Sequence, residues 1–215
     1  MRNCKTGISF ISIYVCMYEM SFVKEVSSWI LSGVNGVIQG IEDEDIKTMI
    51  DIIMETKDAK ILLLGTGRSG FVGRAFALRL MHLGFNVYVM GETITPALSP
   101  DDLVIVISGS GTTTTVVAQA QVAEGLGTKV IAITSHKDSP LGQISDHIVN
   151  VKGRTKIDQD FDYDKRQIKG EYDNAPLGTM FELSVMIFLD CVIAELMQIL
   201  GIQELDLKKR HADAQ

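Results

Sequence analysis

The chain has 215 residues, of which 27 are acidic and 20 basic, for a formal net charge of −7. A hydrophobic fraction of 46% with 22% charged residues describes one globular domain with a real core, not a disordered chain. The negative balance argues against a nucleic-acid or anionic-membrane binder, whose affinity comes from basic patches. It leaves room for a small anionic ligand held by backbone amides at a helix N-terminus.

Residues 1–20 read as an N-terminal extension and 21–215 as a single domain. Arg2 and Lys5 precede an apolar stretch from Gly7 to Met17, which superficially resembles a signal peptide. No small-residue cleavage site follows, and the stretch is too short to span a membrane as a helix. An upstream extension, with translation starting at Met20, is the favoured expectation. No other segment reaches spanning length without charges. The three cysteines, Cys4, Cys16 and Cys191, form no CxxC and no zinc-ligand cluster. They predict free thiols, a reducing cytoplasmic setting and no structural metal, with Cys191 expected as a small buried hydrophobe.

From Phe22 to about Thr56 apolar residues recur at three- and four-residue spacings, predicting two helices. The acidic run Glu42, Asp43, Glu44 and Asp45 marks the start of the second, where the dipole favours negative charge. Short apolar runs then alternate with helical patterns. Strands are expected at Ile61–Leu64, Asn86–Met90, Leu103–Ile107, Lys129–Thr134 and Asp146–Val151. Helices are expected from about Ser69 to Leu83, from Thr113 to Leu126 and, briefly, around Leu141. Strand–helix alternation predicts a parallel sheet with right-handed crossovers. The expected fold is therefore α/β, a three-layer α/β/α sandwich around a five-stranded parallel sheet with flavodoxin-like winding. Lys152–Asn174 reads as a long polar loop, Pro176–Leu200 as a long apolar helix, and Gln203–Ala212 as a short final helix.

Nineteen glycines against four prolines are unevenly placed. Gly65-Thr66-Gly67-Arg68-Ser69-Gly70 follows the first strand and opens a helix, a literal GxGxxG in the setting of a dinucleotide fingerprint. Glu92 even lies where a ribose-binding carboxylate would sit. Any tight strand-to-helix turn near an anion also favours glycines, so this motif alone is only moderately specific. Ser108-Gly109-Ser110-Gly111-Thr112-Thr113 follows the third strand and opens the next helix. Its glycines let the backbone fold close to a ligand, and four hydroxyls join the helix-end amides in a cradle suited to a phosphate monoester. A plain helix-capping turn would also use Ser and Thr, but not at this density with interposed glycines. A nicotinamide-binding domain needs the first loop only. The second loop is surplus to that reading, and no separate substrate domain is visible.

These two loops, with the helical N-terminal segment, resemble the sugar isomerase (SIS) domain family. Within that family the chain looks like the 6-phospho-3-hexuloisomerases. Supporting stretches are GRSGFVGRAFALRLMHLGF, VMGETITPA, GRTK, RQIKG, APLGTMFE and the terminal KRHA, so the likeness runs from about Phe22 to Ala212. Two departures stand out. Position 112 is threonine where many relatives carry a charged residue, and the chain ends HADAQ rather than HANLE. The resemblance implies interconversion of D-arabino-hex-3-ulose 6-phosphate and D-fructose 6-phosphate through a cis-enediolate. That chemistry needs a base shuttling a proton between adjacent carbons and polarisation of the carbonyl oxygens, with no redox cofactor and no obligatory metal.

Glu182, early in the long helix, fits on spacing alone either a dipole-favouring helix-start acid or a base. The APLGTMFE match implies the catalytic base, with burial against Met180, Phe181, Leu183 and Val185 expected to raise its pKa. His211 is the second candidate acid/base, or else a solvated tail residue. A helix from Glu182 to Leu200 rises about 27 Å while the return to His211 covers only about 15 Å. A catalytic His211 would therefore reach a neighbour's site, in a homo-oligomer that the resemblance makes a tetramer. Gly67, Arg68, Ser69, Ser108, Gly109, Ser110, Gly111, Thr112 and Thr113 are the expected substrate contacts. His82, His136 and His147 read as structural or surface residues. Asp158, Asp160, Asp162 and Asp164 lack the Gly and distal Glu of a calcium loop and read as solvated. Lys156 and Arg166 are weaker candidates to close over phosphate. The runner-up is a sugar-phosphate-binding regulator. The segment before the first strand is short and acidic, which counts against DNA binding.

Overall fold

The computed structural model describes residues 21–153, 176 and 178–209. Helices α1 (Ser21–Gln39) and α2 (Asp43–Glu55) precede β1 (Lys60–Leu64), α3 (Gly67–Leu83), β2 (Asn86–Val89) and β3 (Leu103–Ile107). Then come α4 (Thr114–Gly125), β4 (Lys129–Thr134), α5 (Pro140–Gln143), β5 (His147–Asn150), α6 (Thr179–Leu200) and α7 (Glu204–Lys209). The break between α1 and α2 falls where the acidic run predicts it. Glu42 is the extended N-cap, and Asp43, Glu44 and Asp45 occupy the first turn of α2, facing the positive end of the dipole.

All strand pairings are parallel, in the order β2-β1-β3-β4-β5. The chain steps one way from β1 to β2 and the other way from β1 to β3. The order therefore reverses between β1 and β3, where an open sheet of this kind leaves a crevice at its carboxyl edge. Every residue of β3 is buried, which requires cover on both faces. Side chains alternate between two cores accordingly. Ile61, Leu63, Leu103, Ile105, Ile107, Ile131 and Ile133 pack with α2, α3 and α6. Leu62, Leu64, Val104, Val106, Val130 and Ala132 pack with α4 and Leu141 of α5. The three-layer sandwich expected from the alternating pattern is the observed one.

Three local expectations need correction. Helix α3 begins at Gly67 rather than Ser69, because Gly67 completes the turn at a φ of 56°. Helix α6 begins at Thr179 rather than Pro176. The Pro176 carbonyl accepts from the Thr179 amide across a turn, and Gly178 takes a left-handed φ of 87° before the helix starts. Cys191 is exposed, not buried. Helix α6 is apolar enough by length and composition to cross a membrane, yet it buries only one face, through Phe181, Val185, Phe188, Leu189, Val192 and Leu196. Cys191 lies on the other face, so apolar neighbours in the sequence did not place it in the core.

The extension 1–20, most of the polar loop with its aspartates, Lys156 and Arg166, and His211 lie outside the described residues.

Candidate active site

The first glycine loop joins β1 to α3 at the switch point. Its outer glycines solve a packing problem: a Cβ on Gly65 would come within 3.1 Å of the Ser69 backbone, and one on Gly70 within 2.9 Å of the Gly65 carbonyl oxygen. Strand end and helix start therefore touch backbone to backbone, which any side chain would prevent. Gly67 has open space around it and is needed for its φ. Thr66, the N-cap of α3, makes no side-chain cap hydrogen bond, so the helix presents its amides without a capping hydroxyl. Arg68 is exposed and Ser69 half-buried.

The second loop leaves β3, the neighbour of β1. Ser108 is buried, and its amide donates to the Ile133 carbonyl of β4. The Gly111 amide donates back to Ser108 O, and Gly111 takes a φ of 61° against the Ser139 side chain, where no Cβ fits. The Ser110 hydroxyl accepts from the Thr112 amide at 3.3 Å and from the Thr112 hydroxyl at 3.1 Å. Thr113 is the N-cap of α4, yet its side chain makes no cap hydrogen bond. The hydroxyl-rich turn is therefore not spent on capping its own helix, the plain alternative for this sequence.

The end of β4 supports this loop from the side away from β1. The Ser135 amide (3.0 Å), the Thr134 hydroxyl (3.2 Å) and the His136 ring nitrogen Nδ1 (3.2 Å) all reach the carbonyl oxygen of Gly109. His136, expected as structural or surface, thus touches the candidate phosphate loop. A signal for it was present: it stands two residues beyond a central parallel strand, where ligand-binding residues of such sheets collect. The other two histidines sit apart from the loops as structural groups. His147 donates from Nε2 to the Asp45 carbonyl at 2.8 Å, tying β5 to α2, and His82 is buried in α3.

Glu182 projects from the first turn of α6 with its side chain 14% exposed. Its carboxylate packs over Gly178, where a Cβ would meet Oε2 at 2.8 Å and Oε1 at 3.1 Å. The Arg68 Nε lies 3.5 Å from Oε2. The fold thus brings together two candidates from distant parts of the chain, Arg68 of the first loop and Glu182 of α6. The environment differs from the wholly apolar one expected from Met180, Phe181 and Leu183, because a guanidinium stands beside the carboxylate. Glu92 does not serve the first loop. It faces Arg74 of α3 at 3.8 Å, and both side chains are about half exposed. Among the described residues no three His, Cys, Asp or Glu side chains gather where a metal ion would be held.

The family model described as "SIS domain" matches residues 53–160, which contain both loops and all five strands. The chain belongs to the SIS domain family. Among SIS-domain relatives, it is 40% identical over 166 residues to the 3-hexulose-6-phosphate isomerase of Methanocaldococcus jannaschii, covering 77% of this chain and 82% of that one. It is 35% identical over 173 residues to the Bacillus subtilis protein of the same name, covering 80% and 88%. A crystal structure of a Methanococcus jannaschii protein, from which a 3-hexulose-6-phosphate isomerase function was inferred, superposes with a TM-score of 0.72 at 35% identity. That alignment covers 91% of this chain and all of the other. These likenesses put the chain among the phosphosugar isomerases of the SIS family.

Proposed function

We propose that the chain interconverts D-arabino-hex-3-ulose 6-phosphate and D-fructose 6-phosphate. The observation that carries the reading is the pairing of a largely covered carboxylate, Glu182, with the glycine loops of one crevice. The relatives' names supply the substrate. The uncapped start of α4, with the hydroxyls of Ser108, Ser110, Thr112 and Thr113, holds the 6-phosphate. Gly109 and Gly111 let the backbone approach it, while Gly67, Arg68 and Ser69 line the sugar's other side.

Glu182 removes the proton from C2 of the 3-ulose. The C2–H electrons form the C2=C3 double bond, and the C3 carbonyl oxygen takes up the charge as an enediolate. Glu182 then returns the proton to C3 while the proton of the C2 hydroxyl passes to the oxygen on C3, so that C2 becomes the carbonyl and C3 carries the hydroxyl. Arg68, beside the carboxylate, is positioned to stabilise the enediolate oxygens, where charge appears only during reaction. The substrate and product are isomers, so no electrons leave the sugar.

Self-association belongs to the same reading. Helix α1 exposes Phe22, Val23, Trp29 and Leu31, and α6 exposes Ile187 and Ile199, more apolar surface than isolated exposed residues account for. A tetramer would cover these faces and bring His211 to a neighbour's crevice as the second acid/base. A coupled assay following fructose 6-phosphate formed from the hexulose phosphate tests the reaction. Product formation by the full chain and a marked loss on deleting residues 211–215 are expected. No product formation would overturn the reaction, and full activity of the truncated chain would return His211 to the tail.

A further inference from the structure

The three contacts on the Gly109 carbonyl have a consequence for the candidate phosphate cradle. A carbonyl oxygen only accepts, so His136 must carry its proton on Nδ1 to bond there. The described peptide bonds include no cis form, so the N–H of Ser110 points opposite to the C=O of Gly109. Strand β4 lies on one side of β3 and β1 on the other. Drawing the Gly109 carbonyl toward Thr134, Ser135 and His136 at the end of β4 therefore turns the Ser110 amide away from β4, and β1 with the first loop lies on the other side of β3. Gly109 has no Cβ, so its backbone is freer to rotate than that of the residues beside it. Two of the three donors are side chains, so two side-chain hydrogen bonds add to the Ser135 backbone one in holding this orientation.

We propose that His136 is a positioning residue of the phosphate cradle, whose Nδ1–H fixes the Gly109 peptide so that the Ser110 amide faces an incoming phosphate monoester. Thr134 belongs to the same brace: its hydroxyl donates to Gly109 O and also accepts from the His136 amide at 3.3 Å. Thr134 is fully buried and ends the strand, so the brace is anchored on the sheet and not on a second loop. His136 acts on the substrate through the Gly109 peptide and takes no part in the proton transfer. The inference rests on the reading of the second loop as a phosphate site.

Isomer-specific replacement tests it. In His136→Asn the side-chain NH2 occupies the place of Nδ1 and keeps a donor toward Gly109. In His136→Gln the amide reaches the place of Nε2 instead, and His136→Ala has no donor. Calorimetric titration of the full chain with fructose 6-phosphate, beside KM and kcat for the same sugar, separates the cases. Expected are near wild-type affinity for His136→Asn and affinity about five- to tenfold weaker for His136→Gln and His136→Ala, the scale of one hydrogen bond. KM should rise by more than kcat falls. Should His136→Ala fail to fold, the Asn and Gln pair decides alone. Unchanged affinity in His136→Gln, or equal loss in the Asn and Gln variants, overturns the positioning role. A wild-type chain that does not bind fructose 6-phosphate overturns instead the phosphate-site reading beneath it.

Discussion

At the amino ends of the strands, backbone amides meet the protein's own carboxylates; at the carboxyl ends, the glycine loops carry uncapped helix starts. Asp102 shows the first arrangement. Its carboxylate, 2% exposed, accepts from the Lys60 amide at 2.8 Å, the Ser99 amide at 2.7 Å and the Ser99 hydroxyl at 2.9 Å. The Lys60 ammonium lies 2.9 Å away. Asp146 does likewise at the start of β5, accepting from the Val130 amide at 2.7 Å while its own amide donates to Val130 O. At the other end, neither Thr66 nor Thr113 makes a side-chain cap hydrogen bond to its helix, and Glu182 is held beside Arg68 of the first loop. One end of the sheet is closed by fixed internal anions. The other leaves its positive helix ends uncapped, where the proposed substrate phosphate would sit. Structure and binding thus divide between the two ends of the same five strands.

Substitutions at the two ends should separate in kind. The largest effect is expected for Glu182→Gln, which keeps the shape and removes the base. Turnover should fall about a thousandfold, within the range for a general base, with the unfolding midpoint little changed. Near-normal turnover would end the assignment of Glu182 to proton transfer. Next is Gly178→Ala. It forces a side chain into a left-handed φ and pushes a methyl group against the Glu182 carboxylate. About tenfold or more should be lost from kcat, since misplacing a reacting group by an ångström has such consequences. A stability loss of about 1–2 kcal/mol should accompany it in denaturant titration.

At the amino end the readout moves from rate to stability. Asp102→Asn should remove about 2 kcal/mol at neutral pH with the kinetic constants retained. Burial pushes the Asp102 carboxyl up, but the hydrogen bonds from Lys60 and Ser99 outweigh it and hold the group below its ordinary value of 3.8. A depressed carboxyl contributes its full stability above the unfolded-state pKa and loses it as pH falls through the lower folded-state one. The stability gap between wild type and Asp102→Asn should therefore narrow only in strong acid, followed by urea unfolding across pH. A gap that closed near neutrality would contradict the depressed value. The smallest effect is expected for Asp146→Asn, about 0.5–1 kcal/mol, because the residue is exposed and accepts from a single strand amide. A loss of turnover in either aspartate variant without a loss of stability would blur the division of labour.

Much of this was legible in the sequence because it is local. Ile61–Leu64 and Leu103–Ile107 read as strands from their short continuous apolar runs, Ile61–Leu64 as one buried on both faces. The two glycine loops could be placed after particular strands by turn chemistry alone. Cys191 is exposed where burial is expected, because an almost uniformly apolar helix has no periodicity to say which face turns inward. The start of α6 departs from the expected one because of a single glycine. Pro176 is a sound helix opener by propensity, but Gly178 in the left-handed region comes between it and the helix.

The sequence by itself determined the alternation of strands and helices, the two loops and the family likeness, all carried by short-range patterns. Tertiary structure alone decided which loops share a crevice, through the reversal between β1 and β3. It also set Arg68 of the first loop against Glu182 of α6, and His136, just past β4, against Gly109 of the loop after β3. The physical reason is common to these cases. Strand order and helix docking are fixed by burying two apolar cores at once, and residues distant in the chain become neighbours only when that packing is complete.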